Sequence, residues 1–279
     1  MDDLDAVATL LAKPEPSAEA ITRSRGRLQD RMRRSRARRR LPVLGMAVAA
    51  AVAAAVIVAG VFQPAAAPVS GRDVLLMAAA SAEHVSQGTG TYWHIKRTFQ
   101  GPDGPHVQES WTTRDGRHWS RNEPSATPGS VVEDPAPFRL MGAEIGFEEL
   151  EGLPADPEKL KEHIAGLPRQ DSAMFPADRQ GELVSPLIEL ITELPTPARV
   201  RSAAFEALAA TPGVRNVGPV EDGQELVIPL SGKVEVKMVV DPEAARVTRA
   251  TILLTAEGGA AISNSYISVT TGWTDEFPR

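Results

Sequence analysis

The longest uncharged apolar run in this chain covers residues 41–62 and reads LPVLGMAVAAAVAAAVIVAGVF. As a helix that rises about 1.5 Å per residue, a run of this length extends roughly 33 Å, which matches the hydrocarbon core of a bilayer. A helix also satisfies its own backbone hydrogen bonds inside lipid. The run therefore predicts one transmembrane helix.

The flanks of this run predict its orientation. Residues 31–40 contain seven arginines, whereas residues 63–82 contain only Arg72. Because positive charge stays on the inner side of a membrane, we expect a cytoplasmic N-terminus and an exported C-terminal part in the cell membrane. A cleavable export signal is the alternative, since QPAAAPVS after the run offers small residues to a peptidase. The lengths of the leader and of the apolar run favour an anchor.

Charge divides the chain at the same place. Residues 1–40 hold eleven Lys or Arg against six Asp or Glu, a balance of +5, whereas residues 63–279 carry −11. Arginines next to a span are explained by anionic lipid headgroups at residues 31–40, and we expect no nucleic-acid partner. The chain has no cysteine, which excludes disulfides and thiolate metal sites.

The remaining pattern predicts the domain organisation. Residues 1–40 form a basic cytoplasmic tail with short helices, residues 63–71 a Pro/Ala linker, and residues 72–279 one extracytoplasmic domain. That domain opens with a helix over 72–85, continues with strands, then helices, and ends with further strands. Because strands and helices are kept in separate runs, we predict an α+β fold. Its sheet is expected to be antiparallel, half-barrel-like and covered by helices.

Local signals set the limits of the helices in the middle of the domain. In GLPADPEKLKEHIAGLP, Asp156 is a helix cap, Pro157 suits the first helical position, and Gly166 ends the helix. A second helix is expected near 181–194, and a third begins after Pro197. We expect the many acidic residues of these helices to form a solvated face.

The sequence VQESWTTRDGRHWSRN predicts a β-hairpin whose register can be derived. A two-residue Asp-Gly turn would place two arginines opposite each other. A three-residue loop over 114–116, with its glycine in the left-handed conformation, instead sets Trp111 opposite Trp119 and Glu109 opposite Arg121. Aromatic and opposite-charge pairs across strands are stabilising, so we predict the three-residue loop.

A further set of segments is informative when taken together: MDDLDAVATLLAKPEPS, the arginine-led span, TGTYWHIKRTF, ESWTTRDGRHW, GLPADPEKLKEHI and AAFEALAATPGV. These segments resemble a family of uncharacterised actinobacterial single-pass membrane proteins, often encoded beside extracytoplasmic-function sigma factors. The resemblance implies a sigma-factor-type partner for the tail. The turn DPEAARVTRA is similar to one in periplasmic lipoprotein-carrier proteins and related sensor domains, which implies an apolar ligand.

No sequence motif of a known catalytic or cofactor site is present, so we expect neither an enzyme nor a bound cofactor. His94, His106 and His118 could converge with Glu109 on a metal ion. In the predicted register, however, His118 points away from Glu109. We therefore interpret these histidines as surface residues and predict no metal site.

Four aromatic residues are candidates for lining a ligand pocket: Trp93, Trp111, Trp119 and Tyr266. Their rings could instead fill the core or cover the sheet, and we prefer that interpretation.

Three hypotheses about function follow. The exported domain senses a ligand and the tail regulates a sigma-factor-type partner; or the protein is a membrane-tethered carrier of a lipid or another apolar molecule; or it is an exported hydrolase. The missing nucleophile and metal motifs disfavour the third.

Overall fold

A computed structural model describes residues 69–122, 127–133, 138–167, 179–231, 234–254 and 260–276. All of them belong to one compact unit, Gln63–Arg279. No helix within these ranges is long and apolar enough to cross a bilayer. The predicted tail, span and most of the linker lie outside the described residues.

The described residues form five helices and eleven strands. The helices are α1 (Gly71–Ala82), α2 (Phe147–Gly152), α3 (Pro157–Gly166), α4 (Arg179–Thr192) and α5 (Ala198–Ala209). The first six strands are β1 (Tyr92–Gly101), β2 (Gly104–Thr113), β3 (His118–Arg121), β4 (Val131–Glu133), β5 (Arg139–Leu140) and β6 (Ala143–Glu144). The last five are β7 (Arg215–Val220), β8 (Gly223–Ser231), β9 (Val234–Asp241), β10 (Arg246–Leu254) and β11 (Ala260–Thr274).

Nine strands form one open antiparallel sheet in the order β4-β3-β2-β1-β11-β10-β9-β8-β7. β1 and β11 pair over eight residues in its middle, which joins the first run of strands to the last. Helices pack against the sheet, and the core lies between the two layers. The predicted α+β class with an antiparallel sheet and packed helices is confirmed.

Alternation along the strands directs apolar side chains toward the helices. Trp93 of β1, Leu226 of β8 and Met238 of β9 are almost fully buried there. They belong to the same buried core cluster as Phe205 of α5, a helix that packs on the other helices and is buried nearly all round. Burying an aromatic or aliphatic side chain of this size contributes about 1.5–3 kcal/mol, so this layer supplies much of the stability of the fold.

The limits of α3 follow the predicted capping signals. The Asp156 side chain accepts a hydrogen bond from the Lys159 backbone N–H at 2.9 Å, and Pro157 is the first residue of α3. Ser70 caps α1 in the same way through the N–H of Asp73. α1 begins at Gly71, one residue before the predicted start.

The β2–β3 hairpin has the predicted register. Trp111 lies opposite Trp119, and Glu109 lies opposite Arg121. Gly116 has a φ of 84°, in the left-handed region, and its N–H donates to the Thr113 carbonyl at 3.0 Å. The three-residue loop is confirmed.

Two strands of the large sheet, β4 and β7, are missing from the prediction. β7 contains Gly218 and Pro219, which disfavour a strand in sequence. The structure accommodates both residues because β7 is the edge strand and its pairing with β8 shifts between Asn216 and Gly218. An edge strand tolerates such a shift, since only one of its sides must be paired.

Candidate functional site

The four candidate aromatic residues do not share one site. Trp93 faces the helices, where its Nε1–H donates to the Glu193 carbonyl at 2.6 Å. Trp111 and Trp119 lie on the opposite face, because Trp111 pairs with His94, the neighbour of Trp93 in β1. The three tryptophans therefore lie in two different environments and do not line one pocket.

The fourth candidate lies farther along the same outer face. Tyr266 precedes Ile267, which pairs with Phe99, so it is level with Gln100 and roughly 20 Å along the strands from His94. Arg249 lies over its ring, with the guanidinium carbon 5.7 Å from the ring centroid. Burial, and then the Glu225 carboxylate, raise the pKa of the Tyr266 hydroxyl to about 12.

Trp111 lies within a charged cluster on the outer face. His94 stacks on it at 4.8 Å with an interplanar angle of 14°, and the Arg121 guanidinium carbon lies 5.2 Å from its ring centroid. The Glu109 carboxylate contacts both neighbours, at 3.2 Å from His94 Nε2 and 3.2 Å from Arg121 Nη1. Trp111 is only 5% exposed as a result, which leaves little of its ring for a ligand.

The three histidines considered for a metal site are separated. His94 contacts Glu109, whereas His118 Nδ1 lies 2.8 Å from the Thr112 hydroxyl on the helix side. His106 packs beside Phe99 instead. Across the ranges that the structure describes, no three potential metal ligands come together.

A charged network crosses from the sheet to the helices. Arg97 of β1 donates to the Glu193 carboxylate through Nη2 at 2.7 Å and through Nε at 3.2 Å. Their side chains are only 14% and 12% exposed. A bidentate pair of this kind fixes both residues, and together with the Trp93 bond it ties the end of α4 to β1.

Glu189 lies one turn before Glu193 and is 8% exposed. Its Oε2 accepts a hydrogen bond from the Met141 backbone N–H at 3.1 Å, which holds the β5–β6 turn against α4. Burial raises the pKa of the Glu189 carboxyl to about 8, with a further increase from Glu193, against the opposing effects of Met141 and Arg97. The predicted solvated face was wrong for this residue, because α4 turns it toward the packed β5–β6 hairpin.

A cleft of about 880 Å³ opens where β10 separates from β11. β10 pairs with β11 between Arg249–Ser268 and Leu254–Ala260, while β11 continues to Thr274 along β1. The cleft is lined by residues 268–271 of β11, by the β7–β8 and β9–β10 turns, by residues 85–87 after α1, and by Ile191 and Arg201 of the helix layer. Its size suits a small-molecule ligand.

Arg201 of α5 lines this cleft from the helix layer and is 4% exposed. Its Nη2 donates to the carbonyls of Ala82 at 3.3 Å and Val85 at 2.9 Å, at the end of α1. With its amide oriented to satisfy both neighbours, Gln87 accepts from Arg201 Nη1 at 2.6 Å and donates to the Thr196 carbonyl at 3.0 Å. Arg201 Nε has no hydrogen-bond partner.

Among the described residues, no carboxylate forms an ion pair with Arg201. Burial lowers the pKa of its guanidinium. The partners named above are neutral oxygens, which compensate a buried cation only in part. The floor of the cleft therefore carries an electrostatic preference for a negatively charged group.

The rim of the cleft has the opposite sign. Asp222 pairs with Arg249 at 3.3 Å, and Asp241 lies 3.8 Å from Arg246. Glu221 and Glu243, in the same two turns, are exposed and form no ion pair with any described residue. The cleft thus combines a buried cation at its floor with surplus negative charge at its mouth.

These features define an α+β protein with an open nine-stranded antiparallel sheet, packed helices and a polar cleft at a break in the sheet. No protein-family model, curated protein or solved structure matches the chain. Sequence reasoning did not identify Arg201, Glu189 or the cleft. The nearest signal is Arg201 within an otherwise small and apolar helix sequence, RSAAFEALAA.

Proposed function

We propose that this chain is a single-pass, membrane-anchored ligand sensor, whose extracytoplasmic domain binds its ligand in the cleft beside α1. Its anchor is the helix predicted over residues 41–62, and its half-barrel-like sheet carries the site. The tail, residues 1–40, regulates a sigma-factor-type partner and rests its arginines on anionic lipid. The proposal is for binding and signalling, without catalysis.

One contact carries this proposal. Arg201 at the cleft floor holds the carbonyl of Ala82, the last residue of α1, and that of Val85 just after the helix. A ligand that binds the Arg201 guanidinium changes the hydrogen bonding at the end of α1. α1 therefore provides a covalent route from an occupied cleft to the anchor, through residues 63–70.

The topology is tested by labelling, which the absence of native cysteine makes direct. Ala80→Cys lies on the exposed side of α1, and Ser24→Cys lies in the tail. A membrane-impermeant maleimide should label Ala80→Cys in intact cells and Ser24→Cys only after lysis. Labelling of the tail from outside, or protection of α1, contradicts the proposal.

The role of the tail is tested on the full-length protein purified from native membranes. A sigma-factor-type protein should co-purify with the intact chain and be lost when residues 1–30 are deleted. A variant that lacks Asp115–Gly116 but keeps the tail serves as the control, because it alters only the exported hairpin. Equal recovery from all three forms removes the sigma-factor part of the proposal.

The alternative is a membrane-tethered carrier of a lipid or another apolar ligand. An open antiparallel sheet with helices on one face supports it, since such a layer could separate around an acyl chain. Trp93, Phe205, Leu226 and Met238 occupy the interior between these layers, however, with at most 1% exposure. We therefore favour the polar cleft, and a stoichiometric acyl species retained by the full-length protein through detergent washing would favour carriage instead.

A further inference from the structure

We infer that the cleft binds a small zwitterion, with the ligand carboxylate at Arg201 and the ligand ammonium between Glu221 and Glu243. This inference rests on the proposed function, because it names the class of ligand for the same cleft. It combines two observations: a buried cation, Arg201, at the floor of the cleft, and two exposed carboxylates, Glu221 and Glu243, at its rim.

The floor selects the carboxylate. Arg201 is 4% exposed, its Nε is unpartnered, and its other bonds go to the neutral oxygens of Ala82, Val85 and Gln87. A guanidinium is matched to a carboxylate by its planar set of donors. A ligand carboxylate would supply a negative charge that no described residue places beside Arg201.

The rim excludes a simple anion. Two of the four acidic residues that line the cleft, Asp222 and Asp241, are near arginines, whereas Glu221 and Glu243 remain without a described ion pair. They repel a phosphate or a second carboxylate and attract an ammonium group. An ion that carries both charges satisfies the floor and the rim together, and amino acids and short peptides are the corresponding class.

The distance between the two charges is set by the depth of the cleft, so the test uses ligands of graded length. Glycine, 6-aminohexanoate and tri-alanine carry both charges at increasing separations. Hexanoate and hexylamine match 6-aminohexanoate in chain length but carry one charge each. Binding is measured by isothermal titration calorimetry on the full-length chain in detergent.

At least one zwitterion is expected to bind ten-fold more tightly than hexanoate, hexylamine and inorganic phosphate. The double variant Glu221→Gln/Glu243→Gln should reduce that preference over hexanoate at least five-fold without weakening hexanoate binding. Its control is Glu148→Gln/Glu162→Gln, which removes two exposed acids of α2 and α3 and should leave the preference unchanged.

Arg201→Gln should abolish binding of every carboxylate tested, but it also removes bonds to the end of α1. The rim variant keeps the inference falsifiable, since its residues are exposed in turns. If no zwitterion binds, or if hexanoate or hexylamine binds as tightly as the best zwitterion, the inference is overturned. The topology assay is independent of these outcomes, so failure of the ligand class and failure of the anchored-sensor proposal are distinguished.

Discussion

Arg97 and Glu193 form a bidentate ion pair between β1 and the end of α4, with bonds of 2.7 and 3.2 Å. Both side chains are largely shielded from solvent. Removing one partner of such a pair leaves a buried charge without compensation and costs about 3–5 kcal/mol. The pair is therefore a point at which the stability of the helix–sheet contact can be measured.

Arg97→Met should lower the free energy of unfolding by about 3 kcal/mol, because it leaves the Glu193 carboxylate unpaired in the core layer. The matched control is Arg215→Met, which breaks an ion pair with Glu235 whose side chains are 61% and 44% exposed. That loss should stay below about 1 kcal/mol. Urea unfolding of the full-length chain, followed by tryptophan fluorescence, measures both. Similar losses for the two variants would contradict the assignment of Arg97–Glu193 as a buried structural pair.

Glu189 should make the stability fall as the pH rises. Its pKa is about 8 in the folded protein against 4.5 for an unperturbed glutamate, so between these values the folded state holds a proton that the unfolded state has released. The free energy of unfolding should therefore decrease by about 1 kcal/mol per pH unit across this window. The contribution of Glu189 to stability is fully present below pH 4.5 and is lost as the pH rises toward 8.

Glu189→Gln should remove that decrease and stabilise the protein above pH 8, because the amide oxygen still accepts from Met141 without ionising. Denaturation midpoints at pH 5, 6, 7, 8 and 9, compared between wild type and variant, provide the measurement. Glu162→Gln on the exposed side of α3 is the control and should reproduce the wild-type slope. Parallel curves for wild type and Glu189→Gln would show that Glu189 ionises in the folded protein as it does in water.

The parts of the fold that sequence predicted are local. The cap at Asp156 and the register of the β2–β3 hairpin depend on residues close together in the chain, so spacing and charge were enough to derive them. β7 was missed for the converse reason. Gly218 and Pro219 favour a turn in sequence. The segment is a strand because it pairs with β8, which is a contact that local sequence does not show.

The candidate site depends on contacts between residues far apart in sequence. Arg201 meets the end of α1 more than 110 residues earlier in the chain, and Glu189 meets Met141 across 48 residues. Neither burial nor an unbalanced charge can be read from residue type alone, since arginine and glutamate are mostly exposed in proteins. The cleft also requires that the pairing of β10 with β11 stops at Arg249 and Ser268, while β11 continues to Thr274. The alternation of residues along a strand does not predict where its pairing stops.

Gly116 should be necessary for the hairpin register. Its φ of 84° is strained for any residue with a Cβ, so Gly116→Ala is expected to cost about 1 kcal/mol or more. Gly152→Ala is the control, because Gly152 lies in α2 with open space around a new Cβ, and it should be neutral or stabilising. Unfolding midpoints of the two variants decide the question, and an equal response would mean that the loop adopts another conformation in solution.

Glu109 and Arg121 should be energetically coupled across β2 and β3. They lie opposite each other, their side chains are 18% and 24% exposed, and Arg121 also covers the Trp111 ring. A double-mutant cycle with Glu109→Gln and Arg121→Gln should give a coupling of about 0.5–1 kcal/mol.

The matched pair is Arg117 and Glu133, which lies on the same face but is 60% and 58% exposed. Its coupling should be close to zero, because water screens charges at that exposure and the two side chains lose entropy when they pair. Both cycles are measured by urea unfolding at low and at moderate ionic strength. The Glu109–Arg121 coupling should survive added salt, since His94 and Trp111 shield it. A coupling that disappears with salt would place this pair in bulk solvent and leave Trp111 uncovered, free to contact a ligand on the outer face of the sheet.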